Sequence, residues 1–321
     1  MDWFIFKGNN TPDEQAIDRL PKPPKWRQFS TDRGRGENYI CSKEEKQMVN
    51  AALYLRRPLL ITGKPGTGKT SLAYAVAAEL ALGNVLHWPI TTRTRLQDGL
   101  YSYDAIGRLQ DVQLIKLEAD LPDNNEKEKI TLPDIGKYIR LGPLGTAFLP
   151  AKKPRVLLID EIDKSDIDLP NDLLNIFEEG WFEILELSRL SQKQETVYLA
   201  PCDDRQAQVP IKKGLVPCDE FPLVIMTSNG ERELPGPFLR RCLRLDIPEP
   251  GPDKLKQIVQ EHFKEQPEKW ADLIENFIKR TEQGDLSSDQ LLNAIYLTTQ
   301  QVPVKDIQSL KEAIFRYLSS V

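Results

Sequence analysis

The 321 residues carry 43 Lys and Arg against 48 Asp and Glu, a net charge of -5, with 40% hydrophobic and 28% charged residues. This is globular composition at a length that suggests roughly two domains; it excludes a collagenous or wholly disordered chain and gives no overall electrostatic reason to hold a phosphate backbone. No stretch approaches the roughly 18 apolar residues that span a bilayer, and Met1-Asp2-Trp3-Phe4-Ile5-Phe6-Lys7-Gly8 is too short and acidic for a signal peptide, so a cytoplasmic protein without a membrane segment is expected. Cys41, Cys202, Cys218 and Cys242 stand far apart, and the histidines are His87 and His262 alone. Reduced thiols are expected, and zinc-hydrolase and serine-hydrolase chemistries have little to build on.

Residues 1–37 form an irregular arm. Pro21-Lys22-Pro23-Pro24-Lys25 stiffens it and Arg33-Gly34-Arg35-Gly36 closes it, as a strap on a domain or a linker, with Arg33 and Arg35 read as solvated charge. Ser42-Lys43-Glu44-Glu45 has capping-box spacing and predicts a helix over 43–56. The apolar run Leu59-Leu60-Ile61 predicts a buried strand, residues 70–80 a helix, and residues 84–90 a second strand. A strand-helix-strand unit of this kind builds parallel sheet. Val156-Leu157-Leu158-Ile159 and Leu223-Val224-Ile225-Met226 predict two further buried strands ending in polar residues, where open α/β sheets bind ligands. From Leu255 onward apolar residues recur at helical spacing through Leu318, predicting four amphipathic helices. The expected architecture is α/β, a three-layer parallel sheet over 38–249, followed by a small all-α domain over 250–321.

Between the first strand and its helix stands Gly63-Lys64-Pro65-Gly66-Thr67-Gly68-Lys69-Thr70, which fits G-x-x-x-x-G-K-[ST]. Such a loop turns backbone amides toward phosphates, with Lys69 reaching the β- and γ-phosphates, the Thr70 hydroxyl on Mg²⁺, and Ser71 in the helix turn whose dipole adds positive potential. Asp160 and Glu161 end the third apolar strand; Asp160 is expected to hold the metal and Glu161 to polarise the attacking water. Asp163, Asp166 and Asp168 read as a solvated face or helix cap. Thr227-Ser228-Asn229 ends the next strand, with Asn229 as a residue that orients water or meets the γ-phosphate, or as a plain turn with Gly230. Arg240 and Arg241 follow it.

In that order these features resemble the AAA+ ATPases, over about residues 38 to 300. Leu144-Gly145-Thr146-Ala147-Phe148-Leu149-Pro150, Asn171-Asp172-Leu173-Leu174-Asn175-Ile176-Phe177-Glu178-Glu179-Gly180 and Leu234-Pro235-Gly236-Pro237-Phe238-Leu239-Arg240-Arg241 are most similar to the MoxR-like branch. Lys69 to Asp160 is 91 residues and Asp160 to Asn229 is 69, intervals longer than strand-helix-strand steps need. They leave room for two insertions, about 93–150 and 181–220, which the branch also carries; in the second, residues 181–187 and 195–199 alternate in a manner suited to a hairpin. The resemblance implies ATP and Mg²⁺ as ligands, Arg241 as a finger acting on a neighbouring subunit with Arg240 beside it, and a homo-oligomeric, hexameric ring. Either arginine could instead be a surface cation. Tyr39 and Ile40 are candidates for the base pocket, and the loop itself does not distinguish ATP from GTP. The lid departs from the pattern: Asp289 stands where a sensor arginine is expected.

Three functions follow. The first is a ring ATPase that remodels a protein client, as MoxR-like proteins are thought to do with partners bearing von Willebrand A domains. The second is a slow, nucleotide-dependent assembly switch. The third, a nucleic-acid motor, is opposed by the net charge, although Arg33, Arg35, Arg93, Arg95, Lys152 and Lys153 could line a surface.

Overall fold

A computed structural model describes residues 3–27, 36–119, 133–264, 267–281, 286–300, 310 and 314–315. The chain divides into two compact units, one of Glu44–Ile61 and Leu80–Leu245, the other of Met1–Lys43, Thr62–Glu79 and Asp246–Val321.

The larger unit is built on a five-stranded sheet. From edge to edge its strands are Leu243–Asp246, Leu59–Thr62, Leu223–Ser228, Val156–Asp160 and Leu86–Pro89. Val156–Asp160 lies between two parallel neighbours, with Leu223 to Met226 opposite Val156 to Ile159 on one side and Leu86 to Pro89 opposite Leu157 to Asp160 on the other. Strands hidden on both faces need uninterrupted apolar side chains. Val156, Leu157, Leu158 and Ile159 are each fully buried, as are Val224, Ile225 and Met226. The predicted strands are therefore present; the acidic strand runs one residue and Leu223–Ser228 two residues past their apolar runs into polar sequence, and Leu86–Pro89 is shorter than the predicted 84–90. The helix Lys43–Leu55 begins directly after Ser42.

Two inserted layers belong to this unit. In the first, Tyr101–Tyr103 pairs antiparallel with Ile139–Leu141, and the helix Ala105–Ala119 follows. The Asp104 carboxylate accepts the Gly107 N–H at its start. The polar run 123–129 lies outside the described residues. The second is a four-stranded antiparallel sheet in the order Trp181–Glu183, Leu215–Pro217, Val209–Lys212, Thr196–Leu199. Here the expected hairpin is corrected. The two runs foreseen as its arms stand at opposite edges, and Leu185–Ser188 turns as a helix. The tight turn lies elsewhere, at Lys213 and Gly214, both left-handed (φ 54° and 76°), as a two-residue hairpin loop demands. Phe182, Val197, Leu199, Ile211 and Val216 point to one buried face while Tyr198, Lys212 and Leu215 face out, the alternation of a one-sided sheet. The insertions touch: Ala200 bridges Arg140, and the Tyr101 hydroxyl donates to Glu186 at 2.8 Å.

The other unit holds the helices Lys69–Glu79, Pro252–Phe263, Ala271–Thr281 and Ser288–Thr299. Leu255, Val259, Trp270, Phe277, Ile295 and Phe315 form the heart of its apolar cluster. The arm is a strap on these helices. The Trp26 indole N–H donates to Asn293 at 3.0 Å, its ring meets Phe263 and Tyr296 edge-on, and the Tyr296 hydroxyl donates to the Lys22 carbonyl. Arg33 and Arg35, and the fourth predicted helix apart from positions 310, 314 and 315, lie outside the described residues.

Leu158→Ala empties a site with no solvent access. Denaturant unfolding is expected to show a loss of about 3 kcal/mol, the usual cost of a buried Leu-to-Ala cavity.

Candidate functional site

The phosphate loop follows the strand Leu59–Thr62 and opens the helix Lys69–Glu79. Its end is tied down within its own unit: the Thr62 hydroxyl donates to Asp246 at 2.9 Å, and the Ile247 N–H donates to the Thr62 carbonyl at 2.8 Å. Lys64 pairs with Glu249 at 3.1 Å on an exposed rim. Two glycines show why no side chain is tolerated. Gly66 has φ +79°, and a Cβ there would stand 2.2 Å from the Ser287 Cβ; Gly68 has φ +92°, and its Cβ would reach the Tyr39 ring at 3.0 Å. The Tyr39 ring thus lies against the loop at Gly68, and Ile40 is half-buried. Lys69 is 7% exposed, and its ammonium donates to the Gly63 and Lys64 carbonyls at 2.6 and 2.8 Å, so the cation is folded into the loop it would share with phosphate. Pro65 and Thr67 complete the turn, the Thr67 hydroxyl donating to the Lys64 carbonyl; Thr70 and Ser71 are half-buried in the first helical turn.

Asp160, Glu161 and Asn229 come together in the larger unit. Register explains it: one step beyond Met226 opposite Ile159, Thr227 faces Asp160. The Thr227 hydroxyl donates to Asp160 Oδ1 at 2.6 Å and accepts the Glu161 N–H at 2.8 Å. From the other neighbour, His87 Nε2 lies 3.2 Å from Asp160 Oδ2. Glu161 adopts a left-handed backbone, φ 61° and ψ 49°, unusual for a residue with a side chain and held here by that bond to Thr227. Its Oε2 accepts from Lys164 Nζ at 2.7 Å, and its Oε1 lies 3.5 Å from Asn229 Nδ2. The Glu161 hydrogen bond raises the Lys164 pKa, so the partner stays an ammonium.

Asp163 corrects an expectation. Only 1% exposed, it is no solvated face; its Oδ2 accepts the main-chain N–H of Asn229 at 3.0 Å and of Glu231 at 2.9 Å. Asp166 and Asp168 are exposed as foreseen. Lys164, His87 and the hydroxyl of Thr227 were not read as site residues from sequence; the one signal for Thr227 was its place in the polar run ending the strand.

Arg240 and Arg241 end the helix Gly236–Arg241, and both side chains are exposed. Arg57 donates to the carbonyls of both, and the Arg241 guanidinium pairs with Glu178 and with the Pro237 carbonyl. The lid aspartate, Asp289, lies in the first turn of Ser288–Thr299, where Ser287 caps the helix jointly with Gln290 and donates its hydroxyl to Asp289. Among the described residues no group of three or more His, Cys, Asp or Glu could hold a metal, and no helix is long and apolar enough to cross a membrane. All four cysteines are free thiols; burial pushes Cys218 up to about 11 and Cys242 up to about 12, which leaves them poor nucleophiles.

A glycine loop between strand and helix, with an acidic pair at the end of a parallel strand, is the construction of a P-loop nucleoside triphosphatase. A family model for the AAA domain (dynein-related subfamily) matches residues 58–242, more than half the chain. The chain belongs to that family, an ATPase family of the AAA+ type. Among curated proteins no match was found.

Lys69→Ala is expected to abolish binding of a fluorescent ATP analogue while the melting temperature holds. Thr227→Val keeps the shape but strands the Glu161 N–H, at an expected cost of about 1–3 kcal/mol by chemical denaturation.

Proposed function

We propose that this protein is a magnesium-dependent ATPase that works as a homo-oligomeric, hexameric ring and remodels a protein client in the manner of the MoxR-like branch. The observation that carries the ATPase chemistry is the held Glu161: a carboxylate at a strand end, set by its left-handed backbone, with an amide 3.5 Å from one oxygen. The phosphate loop suits a nucleotide, since its left-handed Gly66 and Gly68 hold the turn where Ser287 and Tyr39 leave no room for a Cβ and its lysine is folded onto the loop carbonyls. Thr70 and Asp160 would hold Mg²⁺, which neutralises charge on the β- and γ-phosphates. A magnesium ion keeps waters and phosphate oxygens as most of its ligands, so one or two protein groups suffice. Glu161 polarises the attacking water and Asn229 orients it. Arg241, exposed at a helix end, is suited to reach a neighbour's γ-phosphate, with Arg240 on the same rim. The client is a protein, and the resemblance points to partners bearing von Willebrand A domains; the net charge of -5 opposes nucleic acid.

Asp289 favours a second reading, an assembly switch with slow hydrolysis, because an aspartate at the lid cannot attract a γ-phosphate. The two readings separate on turnover: client-stimulated continuous hydrolysis supports the motor, and a nucleotide-dependent change of assembly without it supports the switch.

Glu161→Gln should bind ATP with parent affinity and lose turnover by roughly 100-fold or more, the scale of a general-base contribution. Arg241→Ala should lose turnover to a similar degree, and the parent's specific activity should rise with protein concentration; concentration-independent turnover that survives both substitutions contradicts the proposal.

A further inference from the structure

The turn Ile162–Lys164 follows the acidic pair at once, and its residues reach back to the site. Glu161 directly precedes this turn and Lys164 ends it, three positions on, and their side chains meet. Lys164 Nζ donates to Glu161 Oε2 at 2.7 Å, while Oε1 faces Asn229 Nδ2 at 3.5 Å. Both oxygens of the carboxylate are therefore addressed, one by a cation and one by an amide. The main chain that carries this amide is held, because the buried Asp163 accepts the main-chain N–H groups of Asn229 and Glu231.

Stability does not account for the ion pair. Its side chains are 36% and 40% exposed, and pairs so exposed contribute about 0–1 kcal/mol. Geometry does better. A glutamate has three side-chain torsions, and an unpinned one spends much of its time away from the water it must polarise; a fixed cation on one oxygen leaves the other aimed at Asn229.

We infer that Lys164 is a positioning residue for Glu161, setting the carboxylate against Asn229 for hydrolysis. The inference rests on the reading of Glu161 as the group that polarises water. It is distinct from metal or phosphate binding, since Lys164 bonds the carboxylate and not the loop.

The test is steady-state ATP hydrolysis by the full chain, with binding of a fluorescent ATP analogue measured on the same preparations. Lys164→Met should lower kcat roughly 10- to 100-fold, the range that misplacing a reacting group by about an ångström produces, with KM and analogue affinity within about twofold. Lys164→Arg should recover most of the loss, since a guanidinium reaches the same oxygen. A Lys164→Met protein with unchanged or raised kcat, or one that loses ATP affinity instead, overturns the inference. Should the Met variant precipitate, Lys164→Gln carries the test: parent kcat in it is contradictory, reduced kcat at parent KM supportive. Glu161→Gln runs alongside. If that variant hydrolyses normally, the reading of Glu161 fails; if it is dead while Lys164→Met is not, only the role of Lys164 fails.

Discussion

A single hydroxyl ties the acidic strand to its neighbour. Thr227 donates to Asp160 and accepts from the Glu161 backbone, and it can do both because parallel pairing of Val156–Ile159 with Leu223–Met226 brings it one step past the last paired residues. Shifted by one residue, the side chain would point to the opposite face of the sheet. The apolar content of both strands is what forbids that slip: eight buried side chains would have to exchange faces or meet polar ends. Hydrophobic burial, with no direction of its own, thereby sets the position of a hydroxyl to within hydrogen-bond tolerance. The left-handed backbone at Glu161 depends on the same bond, and with it the direction in which its carboxylate leaves the strand.

The turn after the pair extends this logic. Asp163 gives up exposure to hold two amides of the strand-ending loop, and Lys164 stays at the rim to hold the Glu161 carboxylate. One is an anchor and the other a guide. On the loop side the same economy appears in glycines, where the left-handed Gly66 and Gly68 meet Ser287 and Tyr39 too closely for any side chain. The acidic pair and the phosphate loop are thus each held by neighbours outside the motifs that announce them.

The parallel strands were legible because burial on both faces forces continuous apolar runs, and the phosphate loop because its glycine spacing has few other uses. Asp163 was not, since an acidic run looks solvated until its neighbours are placed; nothing local tells a carboxylate that caps a distant loop from one facing water. His87 was hidden for the same reason, its partner being 73 residues away, whereas the partner of Lys164 is only 3 residues away and the pair looks like any solvated charge pair until Asn229 is placed beside it. The hairpin misreading is different. Alternation marks residues 181–183 and 196–199 as half-buried strands but says nothing about which strands they pair with; the Lys213-Gly214 turn carries that information, and lysine is an unusual first member of such a turn.

Insertions that share a core with the sheet, through Phe182, Val197 and Leu199 beside Leu157 and Ile159, are part of one folded unit and not loose decoration. The central claim, that Glu161 of one subunit works with Arg241 of another, is tested most directly by mixing two variants, Glu161→Gln and Arg241→Ala, each inactive by itself. Hydrolysis should return in the mixture, at interfaces that pair an intact Glu161 with an intact Arg241. A mixture as silent as its components, while both still assemble and bind ATP, would contradict the account.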